Sequence, residues 1–113
     1  MRNTELYLKD ILAAIDSIEN FVAGMEWAAF QADDKTTSAV IQKFEVIGEA
    51  AKQIPEEIRQ KYSHIPWKGM AGMRDVLIHS YFKVDQKLVW QTVKESLPEI
   101  RPEIQKVLDE SRS

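Results

Sequence analysis

Apolar side chains recur at steps of three and four along almost the whole chain, and that spacing confines it to helices. Between Thr4 and Val22 the positions Leu8, Ile11, Leu12, Ile15, Ile18 and Val22 form one stripe, which a turn of about 3.6 residues gathers on a single helix face. Gly24 is placed to end this helix, because the position just past a helix favours the left-handed conformation that glycine adopts freely. A short segment with Trp27, Ala28, Ala29 and Phe30 follows, and Asp33-Asp34-Lys35-Thr36-Thr37 then offers capping side chains for a second helix. That helix carries Val40, Phe44, Ile47, Ala51 and Ile54 on its own stripe, so it should pack against the first as bundle helices do.

Prolines punctuate the remainder. Pro55-Glu56-Glu57 predicts a short helix through about Tyr62, and Pro66 opens another from Trp67 to about His79, since a first helical turn tolerates proline and favours acids. Gly69 and Gly72 fall inside this last helix, each costing up to about 1 kcal/mol against alanine. Close approach of a neighbouring helix is the favoured compensation, and approach of a partner chain or ligand is the other. From Asp85 to Glu110 the residues Val89, Val93, Leu97, Ile100, Ile104 and Val107 keep helical spacing, but Pro98 and Pro102 interrupt them. A kinked or split helix is expected there, with Ser96 and Glu99 forming a capping box at a restart. No stretch alternates with period two for long enough to argue a strand. The expected fold is all-α, an antiparallel bundle of four to five helices forming one domain over residues 1–113.

Composition narrows the chemistry further. The 113 residues are 44% apolar and contain no cysteine, enough for a core without staples, while disulfides, thiolate zinc sites, iron–sulfur clusters and thiol nucleophiles are excluded. Two histidines remain for acid–base work. The longest apolar run, Ile11 to Ile15, is far short of the roughly 20 residues that span a bilayer. The N-terminus lacks the pattern of a secretory leader, so a cytoplasmic location is expected. A formal charge of −3 argues against coating nucleic acid by bulk charge and leaves room only for a small local basic site.

Phosphate-loop glycines, a His-Glu-x-x-His helix and a Gly-x-Ser-x-Gly elbow are all absent. Attention therefore falls on Arg74-Asp75-Val76-Leu77-Ile78-His79-Ser80-Tyr81, which packs a cation, a carboxylate, an imidazole, a hydroxyl and a phenol into eight positions. Asp75 and His79 stand four apart, so on a helix the carboxylate can orient the imidazole and favour its protonated form. Arg74 and His79 stand five apart, about 140° round an ideal helix, and do not converge within one straight element. A frayed end or a twofold mate would bring such groups together. The plainer reading is a histidine satisfied at a helix end beside an arginine paired to an acid. Glu45, Glu49 and Lys52 lie along one side of the second helix, which is usually a solvated face; Glu49, beside Gly48, is the one that could instead pair with Arg74. His64 reads as part of a polar turn, and Trp27, Trp67 and Trp90 as core or interface fillers.

With those residues in view, the sequence resembles the HEPN superfamily, and within it the small HepT-like toxins encoded beside a minimal nucleotidyltransferase. Arg74 to His79 matches the Arg-x4-His motif, and Ser80-Tyr81 its His-x-Tyr extension; Ile47-Gly48-Glu49-Ala50-Ala51, Ile65-Pro66-Trp67 and Val84-Asp85 followed by Trp90 support the match. The resemblance implies a helical homodimer with a composite cleft and a metal-independent endoribonuclease, tRNA being one candidate substrate, that needs no cofactor. It implies Arg74 and His79 as the catalytic pair, with Asp75 in support, and Glu49 is carried as a further supporting residue. It also implies Tyr81 as the tyrosine to which the partner antitoxin transfers AMP from ATP. The alternative is a non-catalytic HEPN subunit that partners the nucleotidyltransferase.

Overall fold

The computed structural model describes the backbone of residues 2–79 and 85–112 and the side chains of residues 4–74 and 85–112. The chain order is α1 (Arg2–Val22), α2 (Trp27–Gln31), α3 (Asp34–Lys52), α4 (Glu56–Lys61), α5 (Trp67–His79) and α6 (Gln86–Gln91), then a π-turn (Thr92–Ser96) and α7 (Leu97–Arg112). No strand occurs among the described residues, and the all-α expectation holds. The helices α2, α4 and α6 are only one or two turns long, so α1, α3, α5 and the run from α6 through α7 build the bundle.

Local chemistry sets the boundaries. Gly24, at φ 77°, turns the chain out of α1, a left-handed conformation that a side chain would resist. Asp33 caps α3 by accepting from the Thr36 backbone N–H at 3.0 Å and from its hydroxyl at 2.8 Å. Asp85 caps α6 in the same way through the Leu88 N–H at 3.0 Å. Pro55 stands at the N-cap of α4, its carbonyl accepting from Ile58 and Arg59.

The stripes read from the sequence meet in one apolar cluster. Leu8, Ile11, Ile15 and Ile18 of α1 are fully buried, as are Val40 and Ile47 of α3 and Leu97 and Ile104 at the C-terminal end. Each such side chain contributes about 1.5–3 kcal/mol over its exposed state. α3 packs against both α1 and α5, and α1 also packs against α7. Arg101 pairs with Asp16 and Arg112 with Glu5, so numbers rise along α7 as they fall along α1 and the two run antiparallel. The loop after α4 is tied to α7 as well: the Tyr62 hydroxyl donates to Glu110 at 2.6 Å, and His64 Nε2 lies 2.8 Å from Glu103. The acceptor carboxylate holds the Tyr62 hydroxyl above its ordinary pKa. His64 thus fastens a turn. Trp67 is buried with its indole N–H donating to the Tyr62 carbonyl, while half-buried Trp27 and Trp90 close around Phe30.

Two expectations need correction. The C-terminal helix does not split at Ser96: the Leu97 N–H donates to the Thr92 carbonyl, five residues back, and the helix continues through Pro98 and Pro102. Pro98 has no N–H for the Lys94 carbonyl and its ring would press on it; the wide turn just upstream opens the ladder where regular α geometry would be strained. Thr92 helps by donating its hydroxyl to the Leu88 carbonyl at 2.8 Å, a contact that bends helices. Nor do Gly69 and Gly72 mark a close helix approach. A Cβ at Gly69 would find only Pro66 Cβ at 3.9 Å, and one at Gly72 nothing within 4 Å among the described residues. The close approach lies elsewhere, at Gly48.

Candidate active site

α3 and α5 meet where α3 has no side chain. A Cβ added at Gly48 would stand 2.8 Å from Arg74 Cβ, 2.9 Å from Arg74 N and 3.1 Å from the Ala71 carbonyl oxygen. Only glycine admits α5 this closely, and the contact falls at Arg74 itself. One residue along α3, Glu49 receives the arginine: Nη1 donates to Oε1 at 2.5 Å and to Oε2 at 2.8 Å. Among the described residues, Nε and Nη2 of Arg74 meet no acceptor. The two side chains remain 38% and 50% exposed, so their attraction is largely screened and is a poor source of stability. Its stronger effect is to fix where the guanidinium sits.

Beside the pair, the first half of α1 and the second half of α3 enclose an open groove of about 610 Å³. Tyr7 and Asp10 line it from α1, and Gln42, Glu45, Val46 and Glu49 from α3. Glu45, Glu49 and Lys52 are all exposed, as expected of a solvated face. Glu49 is the member turned to use by its neighbour across the helix crossing. Lys68, a second cation on the helix that carries Arg74, is exposed in the first turn of α5.

The helix that carries Arg74 continues through His79, so positions 75 and 79 are one turn apart on a continuous element. The side chains of Asp75 and His79, and Tyr81 and Lys83 altogether, lie outside the described residues. Among the described residues, no group of three or more histidine, cysteine or acidic side chains is placed to hold a metal ion. No described helix is long and apolar enough to cross a membrane. Sequence reasoning singled out the arginine and weighed its acid, but missed Gly48 as the contact that seats them. The available signal was a glycine in mid-helix, on the buried stripe between Ile47 and Ala51.

The described residues thus form a helical bundle that presents a guanidinium from its side. The chain belongs to the ribonuclease HepT-like family, which matches residues 11–107. It is 44% identical over 106 residues to a Thermococcus cleftensis protein named "Probable ribonuclease HepT", covering 94% of this chain and 96% of that one. A candidate RNase of Methanocaldococcus jannaschii is 49% identical over 107 residues, covering 95% of this chain and 88% of its own. In another protein of that organism, named as a gamma-glutamylcyclotransferase and candidate RNase, the match is 42% identical and covers 96% of this chain but 49% of the relative. No solved structure matches the chain.

Proposed function

We propose that this chain is a one-domain, cytoplasmic endoribonuclease that cuts RNA without a metal ion, the toxin of a toxin–antitoxin pair of the type VII kind. In this reading two copies form a homodimer whose composite cleft joins Arg74 and His79 of each, and a cognate minimal nucleotidyltransferase silences the enzyme by placing AMP on Tyr81. The observation that carries it is the division of labour on one guanidinium. Nη1 is committed to Glu49, while Nε and Nη2, which meet no acceptor among the described residues, are the parallel donors that match two phosphate oxygens.

The chemistry follows from those groups. His79, whose imidazole titrates near neutrality by type, takes the proton of the RNA 2′-hydroxyl as that oxygen attacks the adjacent phosphorus. The bond to the 5′-oxygen breaks, that oxygen leaves with a proton, and a 2′,3′-cyclic phosphate remains. Arg74 meets the charge that builds on the phosphorane oxygens, the stage at which a fixed donor counts most. Asp75, a helical turn before His79, orients the imidazole, and Glu49 holds the arginine. RNA is drawn in by a few cations, Arg74, Lys68 and Lys83, and not by bulk charge. AMP on Tyr81 adds an anion and a bulky nucleoside two positions beyond the base, opposing RNA on both counts.

Purified protein should cut RNA in EDTA, and Arg74→Ala and His79→Ala should each lower kcat by about 10²–10³-fold. Full cleavage by either variant would remove the assignment. Coexpression with the nucleotidyltransferase and ATP should add one or more AMP masses to the wild type and none to Tyr81→Phe. The acids Asp10 and Glu45, which line one groove with the Glu49 that holds Arg74, favour the non-catalytic alternative. That alternative predicts growth arrest by His79→Ala equal to that by the wild type.

A further inference from the structure

Glycine is among the poorest helix formers, yet Gly48 is buried in the middle of α3 and not at its end. The space its side chain would take is filled by α5, and by atoms that cannot swing aside: the Arg74 backbone nitrogen and Cβ both come within 3 Å, and the Ala71 carbonyl oxygen lies at 3.1 Å. A methyl group there could be admitted only by moving α5 at Arg74. Gly69 and Gly72 differ, since each has room for a Cβ among the described residues. The dipeptide Gly48-Glu49 therefore acts on both ends of one side chain. The glycine sets how near the arginine's Cα comes to α3, and the carboxylate holds its Nη1.

We infer that Gly48 is a positioning residue for Arg74, seating it at the distance from α3 at which Glu49 grips Nη1 of the guanidinium and the Nε–Nη2 edge, without an acceptor among the described residues, is left for phosphate. This rests on the proposed role of Arg74 and extends it to the residue that builds its seat. It also separates position from stability, because alanine is the better helix former and a Gly48→Ala chain regains helix propensity while losing the contact.

The test uses the full chain. Gly48→Ala should lower kcat for RNA cleavage by about 10–100-fold with KM changed less than about twofold, since a displacement near 1 Å at a reacting group costs rates of this order. Arginine side-chain ¹⁵N NMR supplies a readout independent of RNA. Rotation about the Arg74 Nη bonds should be slowed in the wild type by the carboxylate, and should become free in Gly48→Ala as in Glu49→Gln. To hold stability apart, the double variant Gly48→Ala/Gly72→Ala is compared with Gly72→Ala alone, because the second methyl adds helix propensity away from the contact. The double should stay slow, and it supplies the comparison if the single variant melts below the assay temperature. Wild-type kcat in Gly48→Ala, unchanged Arg74 signals, or kcat restored by Gly72→Ala would each overturn the inference. Should Arg74→Ala cleave as well as the wild type, the catalytic reading falls and the NMR comparison alone decides whether Gly48 seats the arginine.

Discussion

Arg74 and Arg101 both join helices through carboxylates, as Arg112 does with Glu5, but the two use different edges of the guanidinium to do it. Arg101 of α7 meets Asp16 of α1 fork to fork, Nε at 2.7 Å from one oxygen and Nη2 at 2.9 Å from the other. Arg74 of α5 meets Glu49 of α3 through Nη1, and its Nε and Nη2 meet no acceptor among the described residues. Exposure does not distinguish them, for the arginine side chains are 34% and 38% accessible. What differs is what each has left to offer. Arg101 has spent the planar edge that best recognises an oxyanion, and it serves as a strap between the first and last long helices. Arg74 has kept that edge, and its strap lies behind it. The comparison teaches that an ion pair on a surface need not be judged by stability alone: the spare donors tell whether the pair closes a fold or presents a tool.

The sharpest way to break this contrast is to remove each arginine in turn. Arg74→Ala should lose about 10²–10³-fold in kcat with a melting temperature close to that of the wild type, whereas Arg101→Ala should melt earlier and retain kcat once folded. Equal losses of activity would erase the distinction. A smaller effect sharpens it through pH. The Arg101 hydrogen bond holds the Asp16 carboxyl below its ordinary range, against an opposing effect of burial. A carboxylate with a depressed folded pKa stabilises the protein at pH values above its unfolded pKa, and loses that contribution as pH falls through the folded value. Urea titrations should therefore find Asp16→Asn less stable by about 0.5–1 kcal/mol at neutral pH, with the gap to wild type closing once the pH drops below about 4. A gap unchanged down to pH 2 would mean that the pair does not act through charge.

Most of the fold was legible because helix stripes and caps are local. Leu8 to Val22 declare a face without reference to anything beyond them, and Asp33 caps with the threonine three positions on. The π-turn was harder. Val89, Val93 and Leu97 advance by two consecutive steps of four, a drift of about 80° on a regular helix; that still fits a broad apolar stripe, so the widened turn left no unambiguous mark. Gly69 and Gly72 drew attention because they share a helix with the Arg-x4-His motif, whereas the glycine that matters faces that helix from α3. Nothing within α3 says which of its positions another helix will cross. Charge alone names Glu49, 25 positions from Arg74, as a possible partner but does not prefer that to a solvated face, and it does not pair Asp16 with Arg101, 85 apart, at all. Residue type told which groups carry chemistry; only the crossing told which neighbours hold them.

The π-turn at Thr92–Ser96 also bears on what lengths of chain this architecture accepts. A π-turn is an α-turn that has swallowed one surplus residue, so the segments on either side keep the phase they would have had without it. Trp90 can stay against Phe30 of α2, and α7 against α1, if that surplus is cut out. A chain shortened by one residue between positions 92 and 96 should fold with both seams in register and melt cooperatively, whereas the same deletion within α7 would spin Arg101 away from Asp16. The C-terminal helix thus carries its own allowance for gain and loss of sequence, set one turn ahead of the proline that needs it.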